Sequence, residues 1–289
     1  MKVGMVKFVA SMGLLLACVG ARAGLPEPDV QVADSGRQVV INVPQTRLFL
    51  YQDGKLVKSW PVAVGKMLTG TPTGSFDITG IYHDPTWHVP KSIQDEMRAQ
   101  GKPVQTAVPP GPDNPLGKVF IRFGEPGLGL GMHGTNAPGS VPGFRSHGCV
   151  RLKNPDALDL ASLVSVGDAV TVAYQAILLN QDDAGHLWLT AYRNPYGHDD
   201  VSMPWLGQVL LKWQHDHKVA IYGNRVDEAL RLRNGKPVCL TCRGSLPDYR
   251  VVSLTVFRWL SSPPDSTLPG DSSAPSLPRP PASESQSQL

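Results

Sequence analysis

Excess charge, long apolar runs and cysteine are all scarce in this chain, and each scarcity removes an explanation. The 289 residues carry 27 Lys and Arg against 24 Asp and Glu, a formal charge of only +3. The cations are scattered with no basic block, so no nucleic-acid partner is expected. Beyond residue 23 no stretch is long and apolar enough for a membrane helix. There is no internal repeat. With 41% hydrophobic and 7% aromatic residues the composition is neither disordered nor fibrous, and the length suits one or two domains with a proper core.

What is present begins at the N-terminus. Lys2 and Lys7 precede an apolar run at residues 8–18, too short to span a bilayer comfortably, and Ala21-Arg22-Ala23 offers a small-residue cleavage site before Gly24. Residues 1–23 are therefore expected to be a secretory signal, leaving a soluble mature chain with no stable membrane insertion. Leu16-Ala17-Cys18 also resembles a lipobox, which would lipidate Cys18, but Leu16 fits poorly there and the Ala-x-Ala site is clean. Export places the remaining cysteines in an oxidising space. Cys239 and Cys242 are expected to pair there, since no further ligands at zinc spacing lie nearby. Of the four cysteines, Cys149 is then the odd thiol, and a lone thiol kept in such a space has to have a reason to be free.

Val39, Ile41 and Val43 alternate with polar residues and open a run of strand signals. Residues 47–51 and 55–60 flank Asp53-Gly54, a hairpin signal because Asp-Gly tolerates the positive φ of a tight turn. Residues 74–78, 118–123, 128–132 and 170–172 read as further short strands. Residues 82–117 differ: they are rich in Pro and Gly, hold one short helix over 92–100, and have the length of a lid or binding loop. A second helix follows residue 154, with Asn154 as its cap, Pro155 in its first turn, and Ala157, Leu160, Ala161 and Val164 at helical spacing. The predicted fold class is mainly β with a few short helices. Residues 24–37 read as a linker and 38–174 as the main domain. Residues 175–260 read as a small C-terminal α+β unit whose one clear helix is 226–232, ended by Asn234-Gly235. Residues 261–289, rich in Ser and Pro, read as a disordered tail.

Chemistry is concentrated in Met132-His133-Gly134-Thr135-Asn136, a Gly/Pro/Ser loop, and Ser146-His147-Gly148-Cys149-Val150-Arg151-Leu152. A Cys–His pair is what acyl transfer through a thioester needs: the imidazole takes the thiol proton and later protonates the leaving amine. Gly148 lets a carbonyl approach closely and frees backbone N–H groups for an oxyanion hole. A nearby base is also expected to raise the thiolate character of Cys149. Each piece alone has a plainer reading. A lone Cys is usually a small buried hydrophobe, and His133, His147 and Cys149 are also a conceivable zinc set. A zinc peptidase would want a His-Glu-x-x-His helix or a nearby carboxylate, and neither is present. No metal and no cofactor is expected.

The order His133-Gly134, loop, Ser146-His147-Gly148-Cys149-Val150-Arg151-Leu152 resembles the signature of L,D-transpeptidases with a YkuD-type catalytic domain. Gly70-Thr71-Pro72-Thr73-Gly74-Ser75-Phe76 is similar to the family's Thr-Pro-x-Gly turn. Asp84-Pro85-Thr86-Trp87 and Gly111-Pro112-Asp113-Asn114-Pro115-Leu116-Gly117 resemble segments of the ErfK/YbiS-like periplasmic subgroup. The resemblance covers about residues 38–174 and implies a YkuD-like β-sandwich. Nothing before it looks like a LysM wall-binding module. By resemblance, Cys149 attacks the L-centre carbonyl, normally of diaminopimelate, in a peptidoglycan tetrapeptide stem, and D-Ala leaves. His133 is the base and the Gly134 carbonyl orients its ring. Ser146, His147 and Gly148 shape the site and the oxyanion hole. Arg151 either holds a substrate carboxylate or braces its loop, and Trp87 either belongs to a lid or is an ordinary packing aromatic. The implied acceptors are the amine of a second diaminopimelate, giving a 3→3 cross-link, a Lys of an outer-membrane lipoprotein, or water, which would make an L,D-carboxypeptidase. A silent wall-binding module is the remaining alternative, but nothing in 132–152 looks degraded. The family is also a carbapenem target, and the implied location is the periplasm.

Overall fold

The computed structural model describes residues 24–198 and 203–260. The signal sequence expected over 1–23 and the tail expected over 261–289 lie outside the described residues. The elements run β1 (Arg37–Asn42), β2 (Arg47–Gln52), β3 (Lys55–Pro61), β4 (Ala63–Gly65), β5 (Gly74–His83), β6 (Trp87–His88), α1 (Lys91–Ala99), β7 (Ala107–Val108), β8 (Val119–Phe123) and β9 (Gly131–His133). They continue with β10 (Gly143–Ser146), β11 (Val150–Arg151), α2 (Asn154–Leu163), β12 (Ala169–Ala173), β13 (Ile177–Asp182), β14 (Leu187–Ala191), α3 (Met203–His217), α4 (Gly223–Leu232), β15 (Val238–Cys239) and β16 (Leu254–Val256). No described helix is long and apolar enough to cross a membrane.

Ten strands form one hydrogen-bonded sheet in the order β10-β4-β11-β9-β8-β5-β12-β1-β2-β3. β5 belongs to both halves of it. Residues 74–77 pair with β12 and residues 78–83 with β8, with a shift of register between Ile78 and Gly80. Side chains from both halves enclose one core: Val39, Ile41, Leu48 and Leu50 from one, Ile121, Phe123, Met132 and Val150 from the other. The mainly β fold expected from the strand signals, a sandwich by the resemblance, is thus a sheet folded over its own apolar face. Helix α2 adds Ala157 and Leu160 to the same core. At the β2–β3 turn Asp53 and Gly54 have φ of 50° and 73°, and Gln52 faces Lys55 across a two-residue loop.

Residues 177–260 build a second core on a four-stranded sheet, β15-β14-β13-β16. Two helices cover it. Only α4 was legible in advance; α3 is an addition. Its buried residues Leu206, Leu210 and Trp213 do follow helical spacing. Pro204 and Gly207, poor helix-interior residues, obscured that signal, and the Pro is tolerated because it falls in the first turn. Cys239 and Cys242 are joined by a disulfide.

Residues 24–37, read as a linker, contain no helix or strand before β1 opens at Arg37 but are firmly packed. Leu25, Val30 and Val32 lie on Val40, Phe49 and Tyr51. Asp29 accepts from the backbone N–H of Trp259 and Leu260, both at 2.7 Å, and exchanges two bonds with Gln175. The strap therefore holds the end of the second unit against the first. Across the molecule, the long segment after β5 is pinned by Asn114, which is fully buried and donates to the carbonyls of Pro85 (2.8 Å) and Pro109 (3.2 Å) while accepting from Leu116 N (2.8 Å). This one amide closes the base of the projection that carries β6, α1 and β7.

Candidate active site

β9 and β11 pair in parallel, with Met132 opposite Val150 and His133 opposite Arg151. Side chains alternate across a strand, and Met132 and Val150 both point into the core, each 0% exposed. His133 and Arg151 therefore share the other face. Cys149 stands two residues before Arg151, at the end of the turn that leads into β11. Fifteen residues of intervening chain thus become irrelevant: one strand pairing sets imidazole and guanidinium side by side, and the same guanidinium acts on the Cys149 thiol.

His133 is buried, and its Nδ1 lies 2.6 Å from the Gly134 carbonyl oxygen. A carbonyl can only accept, so Nδ1 carries the proton and Nε2 keeps a free lone pair. Phe120 stacks on the ring at 6.2 Å. Burial lowers the pKa of His133 to about 4, with the Arg151 charge acting the same way against the Gly134 bond. Cys149 is free and half-buried. Its Sγ sits 3.4 Å from the Gly129 carbonyl. Burial pushes its pKa up, opposed by a backbone bond from Gly131 and by Arg151. The expectation of a thiolate-rich cysteine is thereby corrected: desolvation holds the resting pair as thiol and neutral imidazole. One consequence is a displaced pH profile. A base of pKa about 4 is unprotonated at every pH above that, so kcat/KM for acyl transfer should hold as pH falls through the ordinary imidazole range, about 6.5, and fail only near 4. An acid limb at the ordinary value in a pH–rate profile would contradict this.

The residues around the cysteine divide their work. Ser146, 2% exposed, donates its hydroxyl to the Cys149 carbonyl and accepts from Gly148 N at 3.3 Å. It clasps the turn. Gly148 has φ of +116°, a conformation that strains any residue with a Cβ. His147 is exposed and pairs through Nε2 with Glu96 of α1 at 3.4 Å, a partner on the projecting segment that no local pattern announced. Arg151 donates from Nη1 to Ser140 Oγ at 3.1 Å, while its Nε is buried without a partner. Trp87, half-buried, is in β6, paired with Val108.

Asn154 was legible as a helix cap, and its position is different. Lys153 occupies the cap, Asn154 is the first helical residue, and its Oδ1 accepts from Thr135 N at 2.9 Å and Lys118 N at 3.3 Å. Glycine at 117 and 134 makes room, because a Cβ at either would collide with that oxygen. The amide thus ties the chain leaving His133 to the start of α2. Asn154→Ala should cost about 1–3 kcal/mol of stability, the usual consequence of stripping a buried donor of its acceptor; chemical denaturation measures it. An unchanged midpoint would show that the bonds contribute nothing net.

Asp182, His186 and the Cys242 sulfur also converge, their ligand atoms lying within 4.8 Å of one another. That sulfur is tied to Cys239 and is no thiolate, and the trio is remote in sequence from 132–152.

The β scaffold thus carries a free cysteine and, on the strand paired with the one that follows it, a histidine oriented by a backbone carbonyl. The chain matches the model of the YkuD family, the L,D-transpeptidase catalytic domain, over residues 36–172. It is 28% identical over 228 residues to the probable L,D-transpeptidase ErfK/SrfK of Escherichia coli (strain K12), covering 76% of this chain and 72% of that one. It is 30% identical over 164 residues to the putative L,D-transpeptidase YkuD of Bacillus licheniformis, covering 56% and 82%. Among solved structures, L,D-transpeptidase 3 from Mycobacterium tuberculosis matches at 19% identity with a TM-score of 0.37, over 47% of this chain and 60% of that one. The chain belongs to the YkuD family of L,D-transpeptidases, and it is an enzyme of the cysteine acyltransferase type.

Proposed function

We propose that the protein is a periplasmic L,D-transpeptidase that acts on peptidoglycan tetrapeptide stems, with Cys149 as nucleophile and His133 as base. The observation that supports this reading is the β9–β11 register, which pairs His133 with Arg151, two residues after Cys149. As the thiol attacks the L-centre carbonyl of the third stem residue, Nε2 of His133 takes its proton. Because the resting pair is neutral, transfer and attack proceed together. The oxyanion forms beside the turn at Gly148. Gly148 N–H is already used by Ser146, so the Cys149 N–H is the donor left to face it. The C–N bond to D-Ala then breaks, His133 returns the proton to the departing amine, and a thioester remains on Cys149. An acceptor amine attacks the thioester, His133 takes the amine proton, and the thiol is regenerated. Arg151 braces the 138–140 turn through Nη1.

A periplasmic location rests on the charged start, short apolar run and Ala-x-Ala site of residues 1–23. The preferred acceptor is the side-chain amine of a second diaminopimelate, giving a 3→3 cross-link; the Lys of an outer-membrane lipoprotein offers the same nucleophile. Mass spectrometry of disaccharide-tetrapeptides incubated with the mature protein tests the reading. Cross-linked dimers with loss of D-Ala are expected. D-Ala loss alone would identify water as acceptor, and no D-Ala loss would overturn the proposal.

A further inference from the structure

One side chain of the second unit enters the wall of the candidate site. After β14 the chain turns back, and Tyr196 lands on the first unit. Its hydroxyl donates to the Gly65 carbonyl at 2.7 Å and accepts from Thr71 N at 3.1 Å. Its ring stacks on Tyr174 at 5.2 Å and meets Phe144 of β10 edge-on at 6.1 Å. Gly65 and Thr71 are the two feet of an arch, residues 65–71, that Thr71 Oγ1 also closes by accepting from Gly65 N at 3.0 Å. The far side of that arch faces the nucleophile. Lys66 N and Thr69 Oγ1 both donate to the Ser146 carbonyl, at 3.0 and 3.3 Å. The carbonyl oxygens of Gly70 and Thr69 lie 3.7 and 4.0 Å from where a Cβ on Gly148 would be. Ser146 in turn clasps the Cys149 carbonyl and Gly148 N.

Resting on the proposed acyl-transfer reading, we propose that Tyr196 is a positioning residue for the reaction: the second unit sets the turn that presents Cys149 and its oxyanion donor, through the 65–71 arch. The physical argument is short. The Ser146-to-Cys149 turn contains a positive-φ glycine and is held from outside by two bonds from the arch. The arch's feet are held together from outside by a single phenol. Two bonds from one hydroxyl on two backbone groups six residues apart reinforce the direct Gly65 N to Thr71 Oγ1 bond that closes the arch. Small displacements of oxyanion donors are costly in rate because the donors are useful only when already aimed. They leave the intrinsic reactivity of the thiol untouched. The proposal therefore separates two reactions of the same sulfur. Acylation by a carbonyl compound needs the oxyanion donor; alkylation by iodoacetamide needs only the thiolate.

The test uses the mature full chain and Tyr196→Phe, which keeps the ring and removes both hydrogen bonds. Wild-type D-Ala release is measured first. In the variant, kcat for D-Ala release and the rate of acylation by a carbapenem are expected to fall about tenfold or more, with KM little changed, while the iodoacetamide rate at Cys149 at the same pH stays within about twofold. Thr71→Val, which removes the other bond between the arch's feet, should show the same split. Thermal unfolding followed in parallel separates placement from folding. Equal acylation rates in wild type and Tyr196→Phe would overturn the proposal. So would a parallel loss of acylation and alkylation with a lowered Tm, since that is what a merely structural tyrosine would give. A wild type that releases no D-Ala would sink the acyl-transfer reading itself, and this proposal with it.

Discussion

A Cys149→Ala protein is expected to release no D-Ala from a tetrapeptide stem, and His133→Ala to lose about 10²–10⁴ of the rate, the usual worth of a positioned general base. The double variant should be no worse than Cys149→Ala. Non-additivity follows from the proposed roles: the base has no task once the thiol is gone. His133 is suited to the role by the Gly134 carbonyl, which fixes Nδ1–H and leaves Nε2 to accept. His147 is the competing imidazole, but it is exposed and engaged with Glu96. D-Ala release, followed by coupled assay with circular dichroism as a folding control, decides the matter. Near-normal release by His133→Ala would move the base role to His147.

A carbapenem is expected to add its mass to the intact protein at Cys149. The strained β-lactam carbonyl supplies an activated electrophile that needs few peptide contacts, so the turn at Gly148 and the thiol suffice. Cys149→Ser should lose nearly all of the adduct, because an alcohol is a far weaker nucleophile near neutral pH. His133→Ala should slow the adduct without relocating it. Burial raises the thiol pKa and His133 takes the proton as attack proceeds, so the wild-type rate should stay level through neutral pH and not follow the thiolate fraction. Intact-protein and peptide mass spectrometry read all three outcomes. An adduct elsewhere, or none on folded protein, would mean that the nucleophile is misassigned.

Legibility in the sequence tracked the range of the interactions involved. The Asp53-Gly54 hairpin, the short helix now seen as Lys91–Ala99 and the helix after residue 154 are set by local backbone preference and period, and each was readable from a few neighbours. Helix α3 was missed because its Pro and Gly weighed against an otherwise periodic face. Asn154 shows the limit most clearly. Its residue type at a helix start reads as a cap, yet its oxygen serves Thr135 and Lys118, nineteen and thirty-six residues away. Nothing in a local window could reveal that the two glycines at 117 and 134 exist to make room for it. Glu96 and Tyr196 are of the same kind.

The sequence by itself determined the chemistry available: a lone thiol and a histidine in a patterned stretch, glycines where the backbone must take positive φ, and strand periods sufficient for a mainly β fold. These are properties of residue types and near neighbours, and they survive without coordinates. Only the tertiary structure decided how those groups behave. Burial, not proximity, sets the protonation of Cys149 and His133, and it favours the neutral pair over the thiolate that motif reading implies. Pairing of β9 with β11 decides that His133 and Arg151 share a face. Packing of the second unit onto the 65–71 arch decides what holds their turn. Desolvation, strand register and docking are all sums over residues distant in the chain, which is why no local pattern carries them.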